Sequence, residues 1–61
     1  MKSSELLRIL HRDGWVNKRQ KGSHITMTHP TKQGVIVVTD HGSAEVGKGL
    51  ANSILKQAGL K

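Results

Sequence analysis

Sixty-one residues without a cysteine, with ten Lys or Arg against four acids and a formal charge of +6, exclude several classes of protein at once. One domain spanning 1–61 fits, and a catalytic domain beside a separate binding domain does not; the composition also rules out disulfides and thiolate metal sites. Such a charge is drawn to a polyanion, either nucleic acid or an acidic protein surface.

Val35-Ile36-Val37-Val38 is the longest aliphatic run, far short of the ~20 residues of a membrane span. Lys2 is followed by no apolar secretion segment. A cytoplasmic location without membrane contact is therefore expected. Hydrophobic residues make up 34% of the chain and Trp15 is its single aromatic. The core must be small, and a partner covering part of the surface would stabilise it.

In chain order, Ser3 to Arg12 reads as a first helix. Ser3 or Ser4 can accept from the free amides of the first turn, and Glu5 complements the helix dipole. Leu6, Leu7 and Leu10 form one apolar stripe, and Gly14 stands where a left-handed residue ends a helix. His11 falls off the stripe and reads as a solvated surface histidine. Trp15 to Gln20 is the first strand, closed by Lys21-Gly22 as a two-residue hairpin turn. His24 to His29 alternates polar and apolar with period two, as a half-buried strand does. Pro30 to Gly34 turns the chain into the β-branched run Val35 to Thr39. Asp40 to Gly49 is glycine-rich and reads as a loop and helix approach. From Lys48 the sequence is helical again, with Leu50, Ile54, Leu55 and Ala58 sharing a face and Gly59 capping the end. The order α-β-β-β-α predicts an α+β fold, a three-stranded antiparallel sheet with both helices on one face and the other face open.

The second strand decides where the chemistry lies. Ile25 and Met27 must point to the helices, so His24, Thr26 and Thr28 point to the open face. A turn at Lys21-Gly22 sets Val16 opposite Met27 and Arg19 opposite His24. A five-residue loop from Pro30 to Gly34 sets Met27 opposite Val37 and His24 opposite Asp40. His29 has the opposite parity, beside Pro30, where a turn role is expected. His41 lies in the loop after the third strand and its role is left open by the sequence.

A polar histidine on a wet strand is the plain reading of His24, and a solvated edge is the plain reading of Lys18, Arg19 and Lys21. The sharper reading makes His24 a proton acceptor and the three cations a phosphate cradle. A zinc site is disfavoured, because alternation sends His24 and His29 to opposite faces and no cysteine completes a tetrahedron. A Ser-His-Asp arrangement is disfavoured too, since the adjacent side chains of Ser23 and His24 diverge.

Gly22-Ser23-His24, a strand ending in His29-Pro30, the helix-Gly-Trp opening and the closing Ser53-Ile54-Leu55-Lys56-Gln57-Ala58-Gly59-Leu60 together resemble the HicA-type mRNA interferase toxins. The resemblance covers nearly the whole chain. It implies a fold like the double-stranded RNA-binding domain and a small toxin of a type II toxin–antitoxin system. It also implies degradation of mRNA without a metal or other cofactor, and a cognate HicB-type antitoxin that blocks the active site. The family's catalytic histidine follows Gly-Ser and maps onto His24. Ile25 stands where many members carry a second histidine, and Thr39 where many carry a proline. The first departure argues against a mechanism needing a histidine pair there; the second bears on strand-end geometry.

With the resemblance, His24 is expected to act as the base on an RNA 2′-hydroxyl. Arg19, Lys21, Lys18 and Ser23 are expected to bind the RNA. The competing class is a non-enzymatic RNA-binding module of the same fold, with His24 incidental. A basic adaptor for an acidic protein is the third possibility, and it requires no salt-sensitive RNA affinity.

Overall fold

The computed structural model describes residues 1–40, 42 and 44–61. Helix α1 (Ser3–Asp13) leads into strands β1 (Val16–Lys21), β2 (His24–Thr28) and β3 (Ile36–Thr39), and helix α2 (Lys48–Gln57) follows. The strands form one antiparallel sheet in the order β1-β2-β3. The α-β-β-β-α order and the α+β class are those expected from the sequence, with element ends differing by a residue or so. Among the described residues no helix is long and apolar enough to cross a membrane.

Period-two alternation organises the core. Ile25 and Met27 of β2 and Ile36 and Val38 of β3 are buried on one face of the sheet, against Leu6, Leu7 and Leu10 of α1 and Ile54 and Leu55 of α2. Trp15, just before β1, is also fully enclosed. On α2 the buried set is Ala51, Ile54, Leu55 and Ala58, whereas Leu50 is 60% exposed. The expected apolar face was therefore displaced by one position: Ala51 lies three residues before Ile54 and four before Leu55, and so completes the stripe where Leu50 does not.

The start of α1 corrects a second expectation. Its N-cap is Lys2 and no side chain caps it. The free amides of the first turn are taken instead by the loop after β3: Ser3 N–H donates to Ala44 O at 3.0 Å and Ser4 N–H to Gly42 O at 2.9 Å. This satisfies the orphan donors of a helix end from across the fold. Ser3 is buried, and its hydroxyl donates to Thr39 O at 2.7 Å, which pins the helix to the end of β3. The N-terminal ammonium pairs with Glu45 at 2.9 Å and closes the same corner.

The other end of the molecule is locked by polar contacts. Gly14 adopts φ +109°, and the amides of Gly14 and Trp15 return to His11 O and Leu10 O, a left-handed helix stop. Helix α2 ends in the same pattern, with Gly59 N–H to Lys56 O and Leu60 N–H to Leu55 O. His29 sits between these ends. Its Nδ1 accepts from the amides of Thr31 and Lys32, both at 3.1 Å, so the neutral ring carries its proton on Nε2 and donates to Asp13 O at 2.7 Å. The ring also meets Trp15 edge-on at 5.2 Å. Lys32 Nζ bridges Asp13 Oδ2 at 2.6 Å and Ala58 O at 2.9 Å, tying α1 to α2. His29 is thus a turn residue, as its parity in the strand implied.

Two stability measurements check this corner. A Cβ at Gly14 would lie 2.7 Å from His29 Nε2, on a backbone that L-residues rarely adopt. Gly14→Ala should therefore lower stability by about 1–3 kcal/mol in urea melts, and unchanged stability would contradict the packing. The hydrogen bond and charge of Lys32 hold the Asp13 carboxyl below its ordinary range. A carboxyl depressed on folding contributes stability above its unfolded value and loses it as pH falls through the folded one. Asp13→Asn should accordingly destabilise the protein at pH 7 and by much less near pH 2. An equal deficit at both values would sink the ion pair as the cause.

Candidate active site

The hairpin that carries His24 turns through Gly22-Ser23 rather than Lys21-Gly22. Gly22 adopts φ +60°, a left-handed conformation suited to glycine, and Gln20 Nε2 donates to Gly22 O at 3.0 Å. Moving the turn by one residue moves the register. Lys21 pairs with His24, Gln20 with Ile25 and Arg19 with Thr26. The pairing then shifts between Asn17 and Arg19, so that Asn17 faces Met27 and Val16 faces Thr28. Lys18 is the extra residue of this bulge. The expected pairs Arg19 with His24 and Val16 with Met27 are therefore corrected. The reason is local: glycine at the first turn position supplies the positive φ that Lys21 would have had to adopt.

The second hairpin also differs from expectation by one residue. His24 pairs with Thr39 and Met27 with Ile36, not with Asp40 and Val37. Asp40 lies one residue beyond the ladder. Its amide donates to Ser23 O at 2.7 Å, and its Oδ1 accepts from Gly42 N–H at 2.9 Å. Asp40 also has the parity of the helix-covered face, so it is not the carboxylate across from His24. His41 lies outside the described residues.

Three rows cross the open face as a result. The first is Lys21, His24 and Thr39; the second is Arg19, Thr26 and Val37; the third begins with Val16 and Thr28. His24 is exposed, while Ile25 and Met27 on either side of Thr26 are buried, so the imidazole is held outward by its neighbours' burial. Neither ring nitrogen of His24 is engaged among the described residues. Lys18, Arg19 and Lys21 are exposed, and the described residues provide them with no ion-pair partner. Ser23 is half-buried in the turn, its carbonyl held by Asp40. The structure therefore brings Lys21 beside His24, puts Arg19 one row away, leaves Lys18 on the bulged edge and sets Ser23 at the rim.

Thr39 was missed as a neighbour of His24, because an all-aliphatic strand does not report its own register. The arginines of α1 were missed as well. Arg8 and Arg12 lie four residues apart and line, with Ser4, Leu7, His11 and Asp40, an open cleft of about 430 Å³ beside the end of β3. Their spacing was legible as one exposed helical stripe. Among the described residues, no group of three or more His, Asp or Glu side chains is placed to hold a metal ion.

The first row offers an outward imidazole with free nitrogens and a lysine ammonium across the ladder. That pair can take a proton and hold a phosphate oxygen near the same point.

Comparison with known proteins places this chain in a family. The "Probable mRNA interferase HicA" of Pseudomonas fluorescens (strain Pf0-1) is 44% identical over 61 residues, covering all of this chain and 98% of the relative. The family model of the HicA toxin of bacterial toxin–antitoxin systems matches residues 3–60. With the family model matched over residues 3–60 and the relative aligned over all of this chain, the protein belongs to the HicA toxin family.

Proposed function

We propose that this toxin is an mRNA interferase, a metal-independent endoribonuclease in which His24 is the general base. RNA carries its own nucleophile, so the protein has only to accept the 2′-hydroxyl proton, steady the charge on phosphorus and let the 5′-oxygen leave. His24 takes the proton; the 2′-oxygen bonds to phosphorus; the bond to the 5′-oxygen breaks, and that oxygen takes a proton from water as it leaves. The products are a 2′,3′-cyclic phosphate and a 5′-hydroxyl. Lys21, paired with His24 across the hairpin, is the cation nearest in register to the phosphate, and Arg19 supports the adjoining nucleotide. The single observation that carries this reading is the row Lys21-His24-Thr39 on an uncovered sheet face. The name of the Pseudomonas relative supports the substrate.

The same face supports an antitoxin as partner. Val16, Val35 and Val37 are more than half exposed near the catalytic row, an apolar surface that a protein can cover and that single-stranded RNA has little means to use. A HicB-type antitoxin laid across the open sheet would bury His24 together with these valines, and its acidic groups would meet Arg19 and Lys21. Messages are the substrate of a mRNA interferase, and a cytoplasmic site of action follows from that reading.

Cleavage of a defined RNA in EDTA, with mapping of the product ends, tests the mechanism. Products ending in a 2′,3′-cyclic or 3′-phosphate with a 5′-hydroxyl are expected. His24→Ala should lower the rate by ~10²–10⁴ while RNA binding persists. Abolition by EDTA with rescue by a divalent ion, or 5′-phosphate products, would overturn the mechanism. Full activity in His24→Ala would overturn the role of this residue, and RNA binding without cleavage by the unaltered chain would leave the non-enzymatic RNA-binding module as the better reading.

The cationic rows give a separate expectation. Arg19→Ala and Lys21→Ala should each flatten the log–log salt dependence of RNA binding by roughly 0.7, with little change in melting temperature. An unaltered slope in the double variant would mean that both side chains point idly at solvent.

A further inference from the structure

The cleft along α1 is not part of the row around His24, and its chemistry is that of a nucleic-acid backbone site. Arg8 and Arg12 sit one turn apart on the exposed side of the helix, and the described residues offer neither guanidinium a hydrogen bond or an ion pair. Their separation along the axis is about 6 Å, close to the spacing of successive phosphates on a strand. His11 lies between them in the cleft and is held in place: its Nε2 donates to Asn17 Oδ1 at 2.9 Å. In the neutral ring that leaves Nδ1 as an acceptor. The cleft also contains the Ser4 hydroxyl and has Leu7 at its apolar side.

We infer that this cleft binds the ribose-phosphate backbone of the RNA next to the segment held at His24, with Arg8 and Arg12 on two phosphates and His11 Nδ1 accepting from a 2′-hydroxyl. The inference rests on the reading of the chain as an RNA-cleaving enzyme. Two cationic forks with an acceptor between them match alternating phosphates and ribose hydroxyls. An acidic protein segment could meet both only where its sequence happens to set carboxylates and a donor at this spacing, whereas every nucleotide of RNA repeats it. Asp40 opposes a phosphate at one rim, but Gly42 N–H engages its Oδ1, and the two arginines outweigh its charge.

Continuity with the catalytic row follows from the ladder. Thr39 pairs with His24, and the next residue, Asp40, both bonds to Ser23 O and lines the cleft. A strand that leaves His24 over this end of the sheet therefore meets the cleft at once. Thus α1 lengthens the footprint of an active site that β1 and β2 alone make only a few residues wide.

The two phosphate contacts are tested by binding of a uniformly 2′-O-methylated single-stranded RNA, which keeps the phosphates but lacks the nucleophile, so that affinity is read whether or not the chain cleaves. The 2′-hydroxyl contact is tested by unmodified RNA, which should bind His24→Ala more tightly than the methylated RNA does, a difference that His11→Ala should remove. In Arg8→Gln/Arg12→Gln the salt slope should flatten by roughly 1.4, with affinity about 25-fold weaker near 0.1 M salt. Arg8→Lys/Arg12→Lys, which keeps the charge, should restore most of both. Thermal melts define a temperature at which all three proteins are folded, and the comparison is made there. An unchanged slope and affinity in the glutamine pair would overturn the proposal. So would unchanged RNA binding accompanied by weakened binding to an acidic protein partner, which would make the cleft a protein interface. A flattened slope in a chain that proves not to cleave RNA would keep the cleft and discard the catalysis.

Discussion

A strand in a sheet covered on one face can bury only every second side chain, and that constraint on β2 governs the rest of the molecule. Ile25 and Met27 are drawn under the two helices, so His24, Thr26 and Thr28 must face the other way. No pocket is required to aim the imidazole. A register slip of one residue would put His24 in the core and Ile25 in water, and the penalty for exposing two buried apolar side chains, about 1.5–3 kcal/mol each, holds the register in place. The orientation of the proposed base is thus fixed by the hydrophobic core beneath it. Gly22 completes the arrangement by allowing a turn tight enough to bring Lys21 directly across the ladder.

So small a core is reinforced by polar contacts at both ends. At one end the loop after β3 caps α1 with backbone carbonyls, and Ser3 fixes the helix to Thr39 O, the residue paired with His24. At the other end Asp13, His29 and Lys32 join the two helix C-termini. Neither cluster lies on the open face. Among the described residues neither cluster draws on Lys18, Arg19, Lys21 or His24, so the fold leaves these side chains to a ligand. The two histidines of β2 and its end differ in the same way: among the described residues neither ring nitrogen of His24 has a partner, and His29 has both committed.

Much of this was legible in the residues. The Leu6, Leu7, Leu10 stripe, the stop at Gly14 and the alternation from His24 to Thr28 gave the order of elements and the face of His24. The neighbours of His24 were harder to read, for physical reasons. Lys21-Gly22 and Gly22-Ser23 are both acceptable turns by composition, and only the position of the left-handed residue separates them. The bulge at Lys18 leaves no mark in an all-polar edge strand, and Val35 to Val38 fits any register equally well. The loop capping of α1 depends on contacts between residues some 40 positions apart in sequence, such as Ser3 with Ala44, so a serine at the helix start was naturally read as its own cap. Family resemblance supplied what residue chemistry could not, the likeness of Gly22-Ser23-His24 to a catalytic motif.

An exposed imidazole at position 24, without a partner among the described residues, is the proposed acceptor of the proton from RNA. Its most direct test is to follow kcat/KM against pH while recording the ring resonances of His24 over the same range by NMR. The rate should rise with pH at the midpoint where the His24 resonances titrate, and this rising limb should disappear in His24→Gln. A rate that climbs at a midpoint unrelated to His24, or the same limb in the variant, would contradict it.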